Sequence, residues 1–234
     1  MTRIFLRIFS VLSAVFVLTS CNWSDCDDCG TVGGEGPPMK GSGIAKTESR
    51  TVEKFAAIHL SEVAGSLEIE RTGNESLTVT ADDNTVSRFT SEVRDGTLHL
   101  SIASGNSVRG KRPVYKITVT DLRQLDVEGA ASIKATKLDA DDLSISIAGA
   151  ASGNVAGRSD NLSIAISGAG TFNAAELKSK RAKVVVSGVG QVTVNASDEL
   201  DAEVSGAGII WYIGSPKLKS KVDGIGTIKQ KPFS

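Results

Sequence analysis

Residues 167–191 read SGAGTFNAAELKSKRAKVVVSGVGQ, and the small-residue pentapeptide that begins this stretch recurs at its end. Four further copies lie in the second half of the chain: EGAAS at 128–132, AGAAS at 148–152, SGAGI at 205–209 and DGIGT at 223–227. The first glycines of the six copies are 20, 19, 20, 18 and 18 residues apart. A fixed period near 20 residues predicts one short supersecondary unit stacked repeatedly on the next.

Alternating apolar residues flank each of these glycines. The positions two, four and six residues before the glycine are Arg123, Leu125, Val127; Leu143, Ile145, Ile147; Leu162, Ile164, Ile166; Ala182, Val184, Val186; Leu200, Ala202, Val204; and Leu218, Ser220, Val222. The positions four and six after it are Ile133, Ala135; Gly153, Val155; Phe172, Ala174; Val192, Val194; Ile210, Tyr212; and Ile228, Gln230. A period of two is typical of half-buried strands, so each unit is predicted to hold two strands joined at a corner.

The equivalent segments recur in the same direction, which favours a climbing coil over a series of hairpins. The sequence therefore predicts an all-β fold, a β-solenoid built as a right-handed, single-stranded parallel β-helix with 18–20 residues per coil. We expect each first glycine to supply backbone angles that other residues reach only with strain. The alanine or glycine two positions later is expected to keep the corner thin.

The first half of the domain, residues 41–122, repeats less regularly. Apolar alternation around Ile58 and Leu60, and again from Tyr115 to Val119, indicates strands of the same solenoid. The segment EVRDGTLHLSI, residues 92–102, has apolar alternation on both sides of Asp95-Gly96, which indicates a hairpin. We interpret this half as an irregular start to the solenoid with a hairpin excursion, rather than as a separate domain.

The N-terminus has the features of a bacterial lipoprotein signal. A basic start with Arg3 and Arg7 precedes an apolar stretch, residues 8–18, that is too short to cross a bilayer as a helix. The sequence LTSC, residues 18–21, resembles the processing site of lipoprotein precursors, which implies acylation of Cys21. We predict a signal peptide at 1–20, a flexible lipid-anchored tether at 21–40 and the β-helix domain at 41–231. Asn22 favours the outer membrane, on its periplasmic or outer face, over the inner membrane.

Cys26 and Cys29 lie in the predicted tether as Cys-Asp-Asp-Cys. A zinc site usually needs four ligands, and the chain has no second cysteine pair. A redox motif would need a folded context. A small disulfide loop is therefore the favoured interpretation of this pair.

Composition restricts the partners. The net charge is −1, whereas a nucleic-acid-binding protein needs a concentrated basic face, so we expect no nucleic-acid partner. The last unit carries Lys217, Lys219 and Lys221 at alternate positions. Alternate lysines protect an exposed strand edge from pairing with another chain. The alternative is a basic stripe that binds anionic glycans or lipids.

Several segments resemble, in their order along the chain, the family of putative auto-transporter adhesins with a head GIN domain. They are Ser42-Gly43, residues 50–60, SLTVTADDN (76–84), EVRDGTLHLSI (92–102), the SGAG corners and YIGSPKLKSKVDGIGTIKQ (212–230). The resemblance covers residues 41–231 and implies a right-handed β-helical domain on a secreted or lipid-anchored envelope protein. It lends no catalytic residues. The corner at Glu62 departs from the expected glycine form.

Residues suited to catalysis or metal binding are few. The adjacent carboxylates Asp82-Asp83 and Asp141-Asp142 fall at predicted turns and point to opposite faces if extended. The two histidines, His59 and His99, each stand between apolar strand residues, so they are expected on the outer face as solvated bystanders, with a metal or acid–base role as the alternative. We expect no cofactor and no metal.

Three apolar residues break the alternation on the outer face. If Ile210 and Tyr212 point inward, then Ile209, Trp211 and Ile213 point outward together. An exposed apolar patch marks a contact surface, and tryptophan is a typical anchor. The alternative is that another segment of the chain covers this patch.

The sequence favours a non-enzymatic, lipid-anchored envelope protein that displays a rigid β-helix for adhesion or for binding an envelope protein, matrix or glycan. The alternatives are a carbohydrate-active enzyme or glycan-binding module, and a periplasmic partner in sensing envelope stress. An aromatic content of 5% provides few stacking platforms for sugars, which disfavours the carbohydrate alternative.

Overall fold

The computed structural model describes residues 31–32, 38–104 and 107–231. These residues contain eighteen strands and a single 3₁₀ turn, Val86–Arg88. The strands are β1 (Thr31–Val32), β2 (Met39–Lys40), β3 (Ala45–Arg50), β4 (Ala57–Leu60), β5 (Ala64–Arg71), β6 (Ser76–Asp82), β7 (Phe89–Arg94), β8 (Thr97–Ile102), β9 (Val108–Arg109), β10 (Val114–Val119), β11 (Gln124–Val127), β12 (Ala130–Ile147), β13 (Ala150–Ile166), β14 (Ala169–Val186), β15 (Val189–Val204), β16 (Ala207–Ile213), β17 (Lys217–Val222) and β18 (Ile225–Gln230).

Stacked parallel strands form a β-solenoid of about five turns, as predicted. The long strands β12 to β15 bend, and each contributes to two walls. We call wall A the stack of segments before the glycine corners and wall B the stack after them. Wall A runs β7–β8–β4–β11, then the ends of β12 to β15, then β17. Wall B runs β3–β6–β10–β5, then the starts of β12 to β15, then β16 and β18.

A short third side closes each central coil. Residues 138–140 of β12 pair with residues 157–159 of β13, after a shift of register at Ala135/Leu138. Residues 157–159 pair in turn with 177–179 of β14. The apolar alternation of the sequence predicts only two strands in each unit. The irregular spacing at the bulge breaks this alternation, so the third side leaves no signal in the sequence.

The predicted inward residues form one continuous core. In the central coils these side chains are no more than a few per cent exposed, and Ile145, Ile164 and Val184 at equivalent positions are at most 1% exposed. Gly153 occupies an inward position because the ring of Phe172 on the next coil fills the space that a Cβ would take. Arg123 was placed in the inward set, but it is exposed, because it precedes β11 and lies outside the strand.

The corner glycines are required for a different reason from the one expected. None of the six first glycines has a positive φ, so the prediction of special backbone angles there is wrong. A Cβ on Gly168 would instead overlap the carbonyl oxygen of Gly149, and the same overlap recurs at every step of the column. The N–H of Ala169 donates a hydrogen bond to that same carbonyl at 3.0 Å. Glycine is needed because successive coils approach within hydrogen-bonding distance at the corner.

Antiparallel strands cap the N-terminal end of the solenoid. The predicted hairpin is present as β7–β8, with Asp95 and Gly96 at positive φ in its turn. On wall B, β3 and β6 pair antiparallel as the cap. The guanidinium group of Arg50 donates hydrogen bonds to the carbonyl of Val86 and the hydroxyl of Ser91, both at 3.0 Å. This end is therefore covered by paired backbone and by a charged side chain directed over the core.

Part of the predicted tether pairs with the domain. Strands β1 and β2 both hydrogen-bond to β9, forming a small separate sheet. Backbone pairing of such short segments needs no apolar alternation, which is why the sequence pattern gave no sign of it. The chain thus enters the fold at the capped end, where Gly41 packs against the side chain of Asp82.

The C-terminal end is different. Within the described residues, no strand pairs with the outer edge of β17 or of β18. Leu218 and Val222 belong to the predicted inward set, but they are 39% and 44% exposed because no further coil covers them. The solenoid is therefore asymmetric, with one capped end and one open end. No helix in the described part of the chain is long and apolar enough to cross a membrane.

The glycine column leads to a first prediction. Gly168→Ala should lower the free energy of unfolding by about 2–3 kcal/mol, because the added methyl group forces two hydrogen-bonded coils apart. Urea denaturation of the wild type and the variant measures this change. Ala169→Ser, at the next and exposed position of the same corner, is the matched control and should change stability by less than about 0.5 kcal/mol. Equal stability of the two variants would contradict the close-approach explanation.

Candidate functional site

The candidate contact surface lies on β16, on the outer side of wall B. Ile210 is fully buried, whereas Ile209 is 38% exposed and Trp211 is partly exposed. Ile209 and Ile210 follow the predicted alternation, whereas Trp211, Tyr212 and Ile213 are all partly exposed, with Tyr212 packed against the core. Trp211 is the strand partner of Thr193 on β15 and of Lys229 on β18. Ile213, also partly exposed, follows on the same face. We call Ile209, Trp211 and Ile213 the β16 patch.

The open end of the solenoid extends this apolar character. Among the described residues, six large hydrophobic side chains are exposed, and five of them lie between positions 189 and 225. They are Val189, Ile209, Leu218, Val222 and Ile225. Sequence reasoning missed Leu218 and Val222 as surface residues. Their position in the last repeat is the signal that could have revealed them, since the inward residues of a terminal coil face solvent.

The alternate lysines of β17 are largely neutralised by the coil beneath them. Lys219 lies 3.3 Å from Asp201, and Lys221 lies 3.0 Å from Glu203 and 2.6 Å from Asp223. Hydrogen bonds to Asp223 and Glu203 raise the pKa of Lys221 above its ordinary value. Two of the three lysines are thus paired with carboxylates, which weakens the interpretation of this strand as a stripe that binds anions.

Ion pairs also connect the coils on their outer surface. The carboxylate of Asp139 accepts hydrogen bonds from Nε and Nη2 of Arg158 on the next coil, the latter at 2.9 Å. Arg71, on the preceding coil, lies 3.6 Å away on the other side. The hydrogen bonds from Arg158, with the charges of both arginines, hold the pKa of Asp139 below its ordinary value. Asp139 therefore links three successive coils.

One aspartate of each adjacent pair, Asp82 and Asp142, takes part in structural hydrogen bonds. Asp82 is buried, and its Oδ2 accepts a hydrogen bond from the backbone N–H of Lys111 at 3.2 Å. Asp142 accepts a hydrogen bond from the side-chain amide of Asn161 at 2.8 Å. Asp142 borders a groove of about 360 Å³ in which Arg181 and Lys183 alternate with carboxylates. Each of these aspartates is engaged in structural contacts.

The structure brings the two histidines together. Nδ1 of His59 lies 3.3 Å from Nδ1 of His99, and the rings meet edge to face with centroids 5.4 Å apart. Nε2 of His59 lies 3.4 Å from the carboxylate of Glu128. In the described part of the chain, no group of three or more His, Cys, Asp or Glu side chains is placed to hold a metal ion. Cys21, Cys26 and Cys29 lie outside the described residues.

Comparison with known proteins identifies the family. The family model described as "Putative auto-transporter adhesin, head GIN domain" matches residues 54–216, and the chain belongs to this family. This confirms the resemblance found in the sequence. None of the curated proteins matches the chain.

Solved structures show the same fold. A putative adhesin from Bacteroides fragilis NCTC 9343 has a TM-score of 0.64 and 25% identity, over 82% of this chain and 100% of that chain. A putative adhesin from Parabacteroides merdae ATCC 43184 has a TM-score of 0.52 and 19% identity, over 84% and 100%. A putative lipid binding protein from Parabacteroides distasonis ATCC 8503 has a TM-score of 0.51 and 21% identity, over 84% and 100%. The last two show the fold alone.

The Asp139 contacts lead to a prediction on pH. Because the pKa of Asp139 is lower in the folded than in the unfolded chain, its contribution to stability is present above the unfolded pKa, about 3.9. It is lost as the pH falls through the folded pKa. Urea denaturation from pH 6 to pH 3 should show the wild type more stable than Asp139→Asn at pH 6, with the difference shrinking below about pH 4. A difference that is constant over this range would contradict the assignment.

Proposed function

We propose that this protein is a non-enzymatic, lipid-anchored component of the bacterial envelope that displays a rigid β-solenoid for adhesion or for binding another envelope protein, matrix or glycan. The observation that carries the proposal is the asymmetry of the solenoid. Its chain entry is at the capped end, whereas the exposed apolar side chains are concentrated toward the open end. Solenoids commonly bind along such extended faces.

The geometry supports display away from the membrane. With strands about 4.8 Å apart, the nine stacked strands of wall A, from β7 to β17, place the two ends roughly 38 Å apart. If Cys21 carries acyl chains, the anchor connects to the capped end through residues 22–40. The β16 patch and the exposed residues Leu218 and Val222 then lie on the part of the domain farthest along the stack from the anchor. This arrangement suits a contact made at a distance from the lipid surface.

A binding role without catalysis is supported by the chemistry of the outer surface. Several of its charged groups form ion pairs between coils, such as Arg158 with Asp139 and Lys180 with Asp160. Hydrolysis or elimination on a glycan would require carboxylates with a base that converge on one open position. Asp82 and Asp142, one from each adjacent pair, instead accept hydrogen bonds from Lys111 and Asn161.

The N-terminal sequence and the family support the proposed location. An adhesin-like family favours a cell-envelope protein, and the LTSC sequence makes Cys21 the proposed site of lipidation. Each buried methylene of an acyl chain contributes about 0.8 kcal/mol, so two or three chains give an effectively permanent attachment. We place the protein on the outer membrane, with inner-membrane anchoring as the alternative.

The anchor is tested by Cys21→Ser. Membranes from cells that express the wild type should retain the protein after a high-salt wash, whereas the variant should be found in the soluble periplasmic or extracellular fraction. Metabolic labelling with an alkyne-tagged palmitate should mark the wild type alone. Cys26→Ser is the matched control and should remain membrane-bound and labelled. Membrane retention of Cys21→Ser at the wild-type level would refute the lipid anchor.

The contact surface is tested by Trp211→Ala. Removal of a tryptophan anchor from an interface typically costs 2 kcal/mol or more, so affinity should fall by at least about tenfold. Wild type and variant, expressed in the envelope of the same strain, are compared for cell–cell aggregation and for attachment to surfaces coated with matrix proteins or polysaccharide. The far-ultraviolet circular dichroism spectrum of the variant should match that of the wild type.

Ile44→Ala is the matched control, because Ile44 is an exposed apolar residue at the capped end, away from the β16 patch. It should leave attachment unchanged. Loss of folding in Trp211→Ala would show that the indole ring belongs to the core. Equal attachment by both variants and the wild type would rule out the β16 patch as the contact surface.

A further inference from the structure

The two histidines of this chain are 40 residues apart in sequence and adjacent in space. They meet because β8 pairs with β4 in parallel and places His99 directly beside His59. Their neighbours in each strand, Ile58 and Leu98 among them, are fully buried, so both rings are on the outer face of wall A. The side chain of His59 is 25% exposed, which leaves the pair accessible to solutes.

The separation of the two rings fits a shared metal ion. Zn²⁺ binds imidazole nitrogen at about 2.0–2.1 Å, and two such ligands at a tetrahedral angle are about 3.3–3.4 Å apart. The two Nδ1 atoms are 3.3 Å apart, which matches this distance between two ligands of one ion, so neither strand has to move. The two Nδ1 atoms are within hydrogen-bonding distance of each other, and a cation that replaces the proton between them contacts both nitrogens.

Acidic side chains around the pair favour a cation. Glu128 lies 3.4 Å from Nε2 of His59, and its negative charge favours a proton on Nε2, which leaves the Nδ1 lone pair available. Glu92 is the strand partner of His99 on β7, and Asp126 is the strand partner of His59 on β11. A carboxylate therefore stands in the strand on each side of the histidine pair, and a third orients one of the rings.

We propose that His59 and His99 form a binding site for one divalent transition-metal ion, of which Zn²⁺ is the natural candidate. Both histidines coordinate through Nδ1, and water completes the coordination sphere, since the described residues hold no ready set of three ligands. Glu128 is a positioning residue whose charge favours the His59 tautomer with the proton on Nε2. Imidazole ligands suit Zn²⁺, Co²⁺, Ni²⁺ and Cu²⁺ over Mg²⁺ and Ca²⁺.

The site has a structural consequence. His99 belongs to the hairpin that caps the solenoid, and His59 belongs to the first coil beneath it. A shared metal ion therefore fastens the cap to the coil, and it stabilises the folded state in proportion to its occupancy.

The test uses the full chain, purified in detergent without a histidine tag, in a Cys26→Ser/Cys29→Ser background that removes the other soft ligands. Co²⁺ binding is followed by its visible absorption, and Zn²⁺ binding by calorimetry. The background protein should bind one ion, and His59→Ala and His99→Ala should each weaken binding by at least tenfold. Glu128→Gln should weaken it by roughly tenfold, as is common for groups that orient metal ligands.

Glu203→Gln is the matched control, because Glu203 lies in the same outer row of wall A several coils away, and it should bind as the background protein does. Saturating Zn²⁺ should raise the Tm of the background protein by a few degrees and leave that of His99→Ala unchanged. If an alanine variant fails to fold by circular dichroism, His59→Gln and His99→Gln replace it. Absence of binding at 100-fold excess of metal, or equal binding by the histidine variants, overturns the proposal.

Discussion

The hydrogen bond between successive glycine corners is the constraint on which the rest of the solenoid depends. Each coil donates from the residue after its glycine to the carbonyl of the glycine one coil below, at 2.9–3.0 Å in the steps from Gly129 to Gly224. This contact fixes the distance between coils at the corner, and the two walls then continue in register from it. The apolar residues of both walls superimpose only because this spacing is the same at every step. A side chain at the corner would disturb the hydrogen bonds and the core together.

A stack of coils has an outermost strand at each end, and the two ends of this solenoid differ in how that strand is covered. At one end, antiparallel strands and the guanidinium group of Arg50 cover the core. At the other end, in the part of the chain that the structure describes, Leu218 and Val222 have no coil above them. Lys219 and Lys221 pair with carboxylates, so this open edge carries charged side chains while their charges largely cancel. An edge of this kind discourages uncontrolled association and still offers apolar side chains to a fitting partner.

The sequence predicted the solenoid, its period and most of its core, because all three are determined by the repeated pattern of apolar residues and glycines. Ile145, Ile164 and Val184 occupy the same position in successive repeats, and all three are buried. It did not predict the third side of the coil, since the bulge at Ala135/Leu138 breaks the alternation. The β16 patch was identified from alternation alone, and its outward placement agrees with the complete burial of Ile210. The meeting of His59 with His99 could not be predicted, because it depends on how the hairpin docks on β4, which no repeat encodes.

Val63 occupies the position of the corner glycine in the first coil, and its carbonyl lies under Gly129. No tight corner adjoins it on the capped side, where β8 and β10 are joined through β9 instead. The requirement for glycine thus begins only where one corner rests on another. Growth of such a protein by duplication is consequently restricted to whole turns inserted after the first coil, each bringing its own glycine. Deletion of part of a turn would leave a bulky residue facing a carbonyl, so the length of the molecule can change only in complete steps.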